Sequence, residues 1–417
     1  MNRATLLMSL VLIFDPLCPC QAMKIGMMSD PEWFQEAANK LLLLEYDNSL
    51  GGSSGMQLTE ALGRMALATM TGLDGFAVII LEQENPPLRL TQETVEMLAK
   101  RQHCPVVIWG ELYEQKGRIF VVSHLRFVAD AAPTNAHPLE ISWIMKQPES
   151  TEPRRATAAL PTHQIDFAPI TISRDNLESL DRLWNKAFIL REAPLDSSIK
   201  TGELTRGSPY YVIGATNGWT KLKVREGGEG WVRLGELGQN EAFKESIGVV
   251  LFAQGMMQHL AWSTEAPVSF DRYLMDYAPR QPSMNHALAH LLSGFSSYMD
   301  SSLNRRESIV PIKQHFEKAR LLLPNAASPV NSLAVALFSQ EADSAMGAME
   351  AKQLEKDLIR TIKTENDSDA VRNLAILYQL PRAQDYFSSP EQTFMKARET
   401  NLGVLRDLEK QFTRRKQ

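Results

Sequence analysis

Side chains able to do chemistry are thinly scattered along this chain. Cys104 stands between His103 and an apolar run. A thiol becomes a nucleophile only when a base and a low-pKa setting reach it, and His103, its sequence neighbour, points to the opposite face of an extended segment. Cys104 is therefore expected to act as a small buried hydrophobe. His286 and His290 lie four apart on a helical stretch, which puts both imidazoles on one face. A zinc-protease motif needs Glu after the first histidine, but Ala287 is there and no third ligand is evident, so packing or solvated histidines and no metal are expected. His103, His124, His137, His163, His259 and His315 form no cluster in sequence. The loop Gly51-Gly52-Ser53-Ser54-Gly55 lacks both the Gly-Lys-Ser/Thr ending of a phosphate loop and the glycine spacing of a dinucleotide site, so a turn and no cofactor are expected. What remains is aromatic: Tyr210, Tyr211, Trp219 and Trp231 fall close together. Flat rings offer large contact area at low entropy cost, so these four are the ligand-binding candidates, with a core role the alternative for each tryptophan.

The whole-chain figures narrow the function classes. The chain has 417 residues, 44% hydrophobic and 22% charged, enough for two to four cores at about 100–200 residues per domain. Forty-four Lys plus Arg against 49 Asp plus Glu leave a net charge of −5, so a general nucleic-acid binder is not expected. The opening MNRATLLMSLVLIFDPLCPCQA has Arg3, an apolar run from Leu6 to Phe14, a break at Asp15 and Pro16, and a small residue at Ala22, the pattern of a secretory signal peptide. That run is half of the ~20 residues needed to span a bilayer. Cleavage after Ala22 takes 22 residues from 417, leaves 395 with Cys104 as the only cysteine, and implies a periplasmic or exported protein. A lipid anchor is not expected, because Leu17, Cys18 and Pro19 precede Cys20 where small residues are required.

The elements that must position these groups change period along the chain. Lys40 to Tyr46 and Phe76 to Leu81 read as buried strands. Met56 to Leu73 is helical, with Leu58, Leu62, Met65 and Ala66 on one face, and a second helix opens at Thr91 and carries Val95, Leu98 and Ala99. Pro105–Tyr113 and Gly117–Val128 form a hairpin across Glu114, Gln115 and Lys116. Two strand-helix-strand crossovers predict parallel pairing of the first three strands, with the last returning antiparallel at the edge. Lys40 to Val128, with Ile108-Trp109-Gly110-Glu111-Leu112 matching "V-x-G-x-L" before the hairpin, resembles the amino-terminal domain of TolB and the envelope lipoproteins that assist penicillin-binding proteins. The resemblance implies a partner-binding module without catalysis.

Residues 130–163 carry five prolines and read as a connector with one possible edge strand at Leu139–Met145. Ser173 caps a short helix to Trp184, with Leu177, Leu180 and Leu183 inward. Phe188 to Leu237 then holds five short strand candidates, enough for a small barrel. Ile189/Leu190-Arg191 with Pro194, Gly202-Glu203-Leu204-Thr205-Arg206-Gly207, Gly218-Trp219-Thr220-Lys221-Leu222 and Gly230-Trp231-Val232 together resemble the four-part signature of bacterial SH3 domains. The resemblance implies binding of cell-wall peptide or protein ligands.

From Glu241 onward the chain is helical: 243–262, 284–299, 309–323, 330–338, 345–363, 370–380 and 389–412. Phe316 and Ala319 before Pro324, Leu333-Ala334 with Leu337, Leu374-Ala375 with Tyr378, and Ala266 with Phe270 resemble fragments of tetratricopeptide repeats. Leu333 and Leu374 are 41 apart, against a repeat of about 34. The resemblance implies protein association in a concave groove.

The expected architecture is a multidomain α+β chain: signal peptide 1–22, small α/β sandwich with its Pro-rich connector 23–172, SH3-like β-barrel with its preceding helix 173–240, and α-helical (TPR-like) repeat domain 241–417. The expected function is a non-enzymatic scaffold of the bacterial cell envelope that contacts envelope proteins or peptidoglycan, with no nucleic acid and no membrane span after signal cleavage. The alternatives are an SH3-targeted cell-wall hydrolase or cysteine protease acting through Cys104, and a cytoplasmic assembly scaffold if the leader is retained.

Overall fold

The computed structural model describes residues 37–387 apart from 70–72, 74, 82–89, 146–153, 161–163, 185–186, 205–209, 217, 226–227, 234–246, 278–280, 301–304, 342–345 and 381–385. The leader, the helix expected over 389–412, the basic end Arg414-Arg415-Lys416 and the side chains of Leu177, Leu180 and Leu183 lie outside the described residues.

Strand β1 (Asn39–Leu44) sits between β3 (Phe76–Leu81) and β4 (Val106–Gln115), parallel to both, with Leu41 opposite Val78 and Val106. Both faces of these strands are covered, which is why they read as unbroken apolar runs. Leu41 and Leu43 pack with Leu58, Leu62 and Met65 of α1 (Ser54–Thr69), while Leu42 and Leu44 pack with Val95, Leu98 and Ala99 of α2 (Gln92–Gln102). The two-residue β2 (Asp47–Asn48) adds to β4. The parallel order expected from the crossovers is present. The antiparallel return β5 (Arg118–Phe127) is not the edge, because β8 (Ile165–Asp166) and β9 (Ile170–Ile172) pair along its far side. The β4–β5 turn is Lys116-Gly117, both at positive φ (52° and 73°), the two-residue geometry whose twist matches the strands.

The connector differs from expectation. Leu139–Met145 contributes β6 (Glu140–Met145), but β6 pairs with β7 (Arg154–Ala159) in a separate two-stranded sheet. After α3 (Arg174–Trp184), capped as expected by Ser173 Oγ accepting from Asn176 N at 3.1 Å, come β10 (Phe188–Arg191), β11 (Lys200–Leu204), β12 (Tyr210–Thr216), β13 (Trp219–Val224) and β14 (Gly228–Val232). They form an antiparallel array in the order β11-β10-β14-β13-β12. This array continues the α/β sheet through an antiparallel bridge from Val212 to Phe76, giving one twelve-stranded mixed sheet.

The remaining helices are α4 (Ile247–Leu260), α5 (Ala266–Asp276), α6 (Ser283–Met299), α7 (Arg305–Leu322), α8 (Ala327–Glu341), α9 (Ala348–Glu365) and α10 (Ser368–Leu377), bringing the described residues to ten helices. The fold class is therefore mixed α and β, with the helices of the second half following the sheet. Successive helices pack against one another, and α4, α6, α8 and α10 also touch in series. Close approach is made possible by glycine: a Cβ on Gly255 would meet the Phe270 ring at 2.7 Å, and one on Gly294 the Phe316 ring at 2.4 Å. The helical half is bonded to the α/β portion by Gln254 Nε2 donating to Thr69 O of α1 at 2.7 Å and Asn285 Nδ2 donating to Asp166 O of β8 at 2.9 Å. It also holds the β6–β7 hairpin: Asn373 Nδ2 donates to Thr157 O at 2.9 Å, and its Oδ1 accepts from Thr157 N at 3.2 Å.

Candidate functional site

Alternation along the β10–β14 array sorts its side chains onto two faces. The register pairs Tyr211 with Lys223, Lys223 with Glu229, Lys221 with Trp231, and Trp231 with Arg191. These residues, with Trp219, therefore share one face. A register shift between Val212 and Gly214 preserves this arrangement while β12 bends. On that face cations alternate with rings. Lys223 Nζ stands 5.7 Å from the centre of the Tyr211 ring, and the Arg233 guanidinium 5.0 Å from that of Trp219. Both distances suit cation–π attraction. Arg233 is in turn held by Asp196 at 3.2 Å, and Lys221 Nζ bonds Glu229 Oε2 at 2.8 Å, which keeps the Glu229 carboxyl below the usual range. Trp231 is half-buried, whereas Tyr211 and Trp219 are buried beneath their cations.

Tyr210 is separated from the other three. It faces the opposite side, in the core beside α1 with Val212, Leu222 and Val224, and its hydroxyl is pushed up to about 12 by burial, with the Arg64 charge pulling the other way. Arg64 also lies over the Phe188 ring at 5.4 Å. The four aromatic candidates thus supply one accessible ring, two rings packed under cations, and one core tyrosine. Arg191, Lys221, Lys223 and Arg233 belong to the same face and were not read from the sequence. Strand alternation would place the first three there, but only cross-strand register sets them beside the rings.

Cys104 is fully buried; its thiol lies 3.4 Å from Gln102 O and is pushed up to about 12 by burial. A thiol held protonated in this way is a weak nucleophile. His286 and His290 do stack, with centroids 5.2 Å apart, and His290 Nδ1 lies 3.0 Å from His315 Nδ1, a partner one helix away that no local spacing reveals. His315 Nε2 in turn faces Asp271 Oδ1 at 3.6 Å. Burial, reinforced by neighbouring positive charge, holds His286 and His290 below the ordinary histidine range. Among the described residues no three His, Cys, Asp or Glu side chains are placed to hold a metal ion, and no helix is long and apolar enough to cross a membrane. Comparison with known protein families, with curated proteins and with solved structures found no match.

Proposed function

We propose that this chain is a non-enzymatic binding and scaffold protein exported to the bacterial cell envelope, which takes protein or cell-wall peptide ligands on the β10–β14 face and holds a protein partner through its helical half. The observation that carries the reading is the strip Tyr211, Lys223, Lys221, Trp231 and Arg191, where flat rings alternate with cations along one sheet face. Such a strip suits an extended peptide with carboxylates: the accessible Trp231 ring contacts the backbone and side-chain stems, and the cations meet the acidic groups. The antiparallel order β11-β10-β14-β13-β12, with Trp219 and Trp231 on neighbouring strands, supports the SH3-like reading. The recurring Gly–Phe contacts between successive helices support the helical-repeat reading.

The test is co-sedimentation of the mature full chain with purified peptidoglycan, paired with capture of envelope proteins by cross-linking in intact cells. Retention should fall at least tenfold in Trp231→Ala and in Lys221→Glu. Absence of retention by both partners, or retention unchanged in Trp231→Ala, overturns the ligand assignment. The export part is tested by the mass of the protein recovered from its native envelope, which should lack residues 1–22; an intact leader overturns it.

A further inference from the structure

Histidines of α6 and α7 gather with a carboxylate of α5, on elements distinct from the β10–β14 face. Gly294 lets the two helices close up, since a Cβ there would run into the Phe316 ring. His290 stands one turn before Gly294 on α6, and His315 adjoins Phe316 on α7. Their Nδ1 atoms are 3.0 Å apart. The other nitrogen of His315, Nε2, faces Asp271 Oδ1 of α5 at 3.6 Å, and Ser293 Oγ donates to that same oxygen at 3.0 Å. His286 stacks on His290 from one turn earlier, with ring centres 5.2 Å apart.

Burial lowers both His290 and His315, and the Lys318 charge acts the same way against the opposing pull of Asp271 on His315, so each ring is neutral near pH 7. A carboxylate only accepts, so the His315 nitrogen facing Asp271 carries the proton, and its Nδ1 presents a lone pair to His290. His290 therefore donates through Nδ1, and one proton lies between two nitrogens that can both serve as ligands. An imidazole backed by a carboxylate on its far nitrogen is the usual support of a metal-bound histidine, because the carboxylate fixes the ring and raises its basicity. The spacing selects the ion. With metal–nitrogen bonds of about 2.0–2.1 Å, an ion equidistant from nitrogens 3.0 Å apart subtends about 90–95°. Right angles between nitrogen ligands belong to tetragonal Cu(II) or Ni(II), whereas tetrahedral Zn(II) would hold them about 3.3–3.4 Å apart. The side chains of His315 and Asp271 keep 18% and 49% of their surface exposed, so solvent reaches the pair. Among the described residues no third His, Cys, Asp or Glu is placed on the same point, which leaves the other coordination positions to water.

We propose that His290 and His315 bind a tetragonal divalent transition ion, Cu(II) before Ni(II), through their Nδ1 atoms, with Asp271 as the positioning residue behind His315. The ion takes the place of the shared proton: His290 becomes the Nε2–H tautomer, both rings stay neutral and no proton is released. The order of the two ions follows the general ranking of divalent metals for nitrogen ligands.

The test is a glycine-buffered CuCl2 titration of the full chain carrying Cys18→Ser and Cys20→Ser, which removes the leader thiols, read by electron paramagnetic resonance. One equivalent should bind and give an axial spectrum coupled to two imidazole nitrogens. His290→Gln and His315→Gln should each weaken binding at least tenfold and leave coupling to one nitrogen, and Asp271→Asn should weaken it about tenfold with the two-nitrogen coupling retained. Should the buried His290→Gln fail to fold, the more exposed His315 and Asp271 variants decide. Binding that does not saturate near one equivalent, coupling to fewer than two nitrogens in the parent, or affinity unchanged in His315→Gln overturns the site; affinity unchanged in Asp271→Asn overturns the positioning role.

Discussion

Tyr46 illustrates how single residues decide this core. Its ring lies across β4 at Gly110, where an added Cβ would stand 2.3 Å from Tyr46 Cε1 and 2.1 Å from Val122 O, and its hydroxyl reaches Ser123 Oγ at 2.8 Å. The glycine of Ile108-Trp109-Gly110-Glu111-Leu112 is thus required by a close approach, not by a turn. Gly110→Ala should cost about 3 kcal/mol, the upper end for overpacking a site with backbone on one side. A lower guanidinium midpoint with an unchanged slope is the expected reading, and a midpoint within error of the parent would refute the packing account. The motif containing Gly110 is visible in the sequence. The ring that needs it comes from a residue 64 positions earlier, which no local pattern reports.

At the scale of elements, the β6–β7 hairpin shows where local propensity gives way to packing. An isolated two-stranded hairpin is marginal in water, and Arg154–Ala159, RRATAA, has a single β-branched residue, Thr157, and no clear alternation. It is extended because Ala156 and Ala158 are fully buried and the Asn373 amide holds both backbone groups of Thr157. Asn331 Oδ1 braces that amide at 2.9 Å, and Ser328 Oγ donates to Ala159 O at 2.7 Å. Asn373→Ala leaves a buried N–H and C=O without partners, a loss of about 2–4 kcal/mol. Hydrogen exchange should accelerate at residues 154–159 while that of β1 holds, and uniform protection across both would contradict this. By contrast, β1, β3, α1, α2 and the β4–β5 hairpin were legible, because apolar runs, helical spacing and turn residues there agree with the tertiary outcome.

For the whole molecule the histidines set the response to acid. Burial, with His137 nearby, lowers His259 to about 3, whereas the same residue in the unfolded chain titrates near its usual 6.5. Between those values the unfolded chain binds the extra proton, so stability is full above about pH 6.5 and falls as pH drops, by about 1.4 kcal/mol per pH unit for this one buried group. His290, lowered mainly by burial and then by the charge of His315, acts in the same direction. Denaturant midpoints measured from pH 7.5 to 5.0 should decline, and His259→Gln should flatten that decline by one proton; a flat profile in the parent would rule the account out. The coupling is wide because α4, which carries His259, is bonded to α1 beneath the sheet.

The sequence by itself determined the α/β order of the first half, the positions of the five short strands, the helical nature of the described residues from Ile247 to Leu377 and the burial of Cys104, since each follows from local periodicity, turn chemistry or the hydrophobicity of one residue. Only the tertiary structure decided that the short strands continue the α/β sheet, that Tyr210 faces away from Tyr211 into the α1 core, and that His290 meets His315. Those outcomes depend on cross-strand register and on helices meeting across tens of residues. Contacts of that kind carry no signature in spacing along the chain.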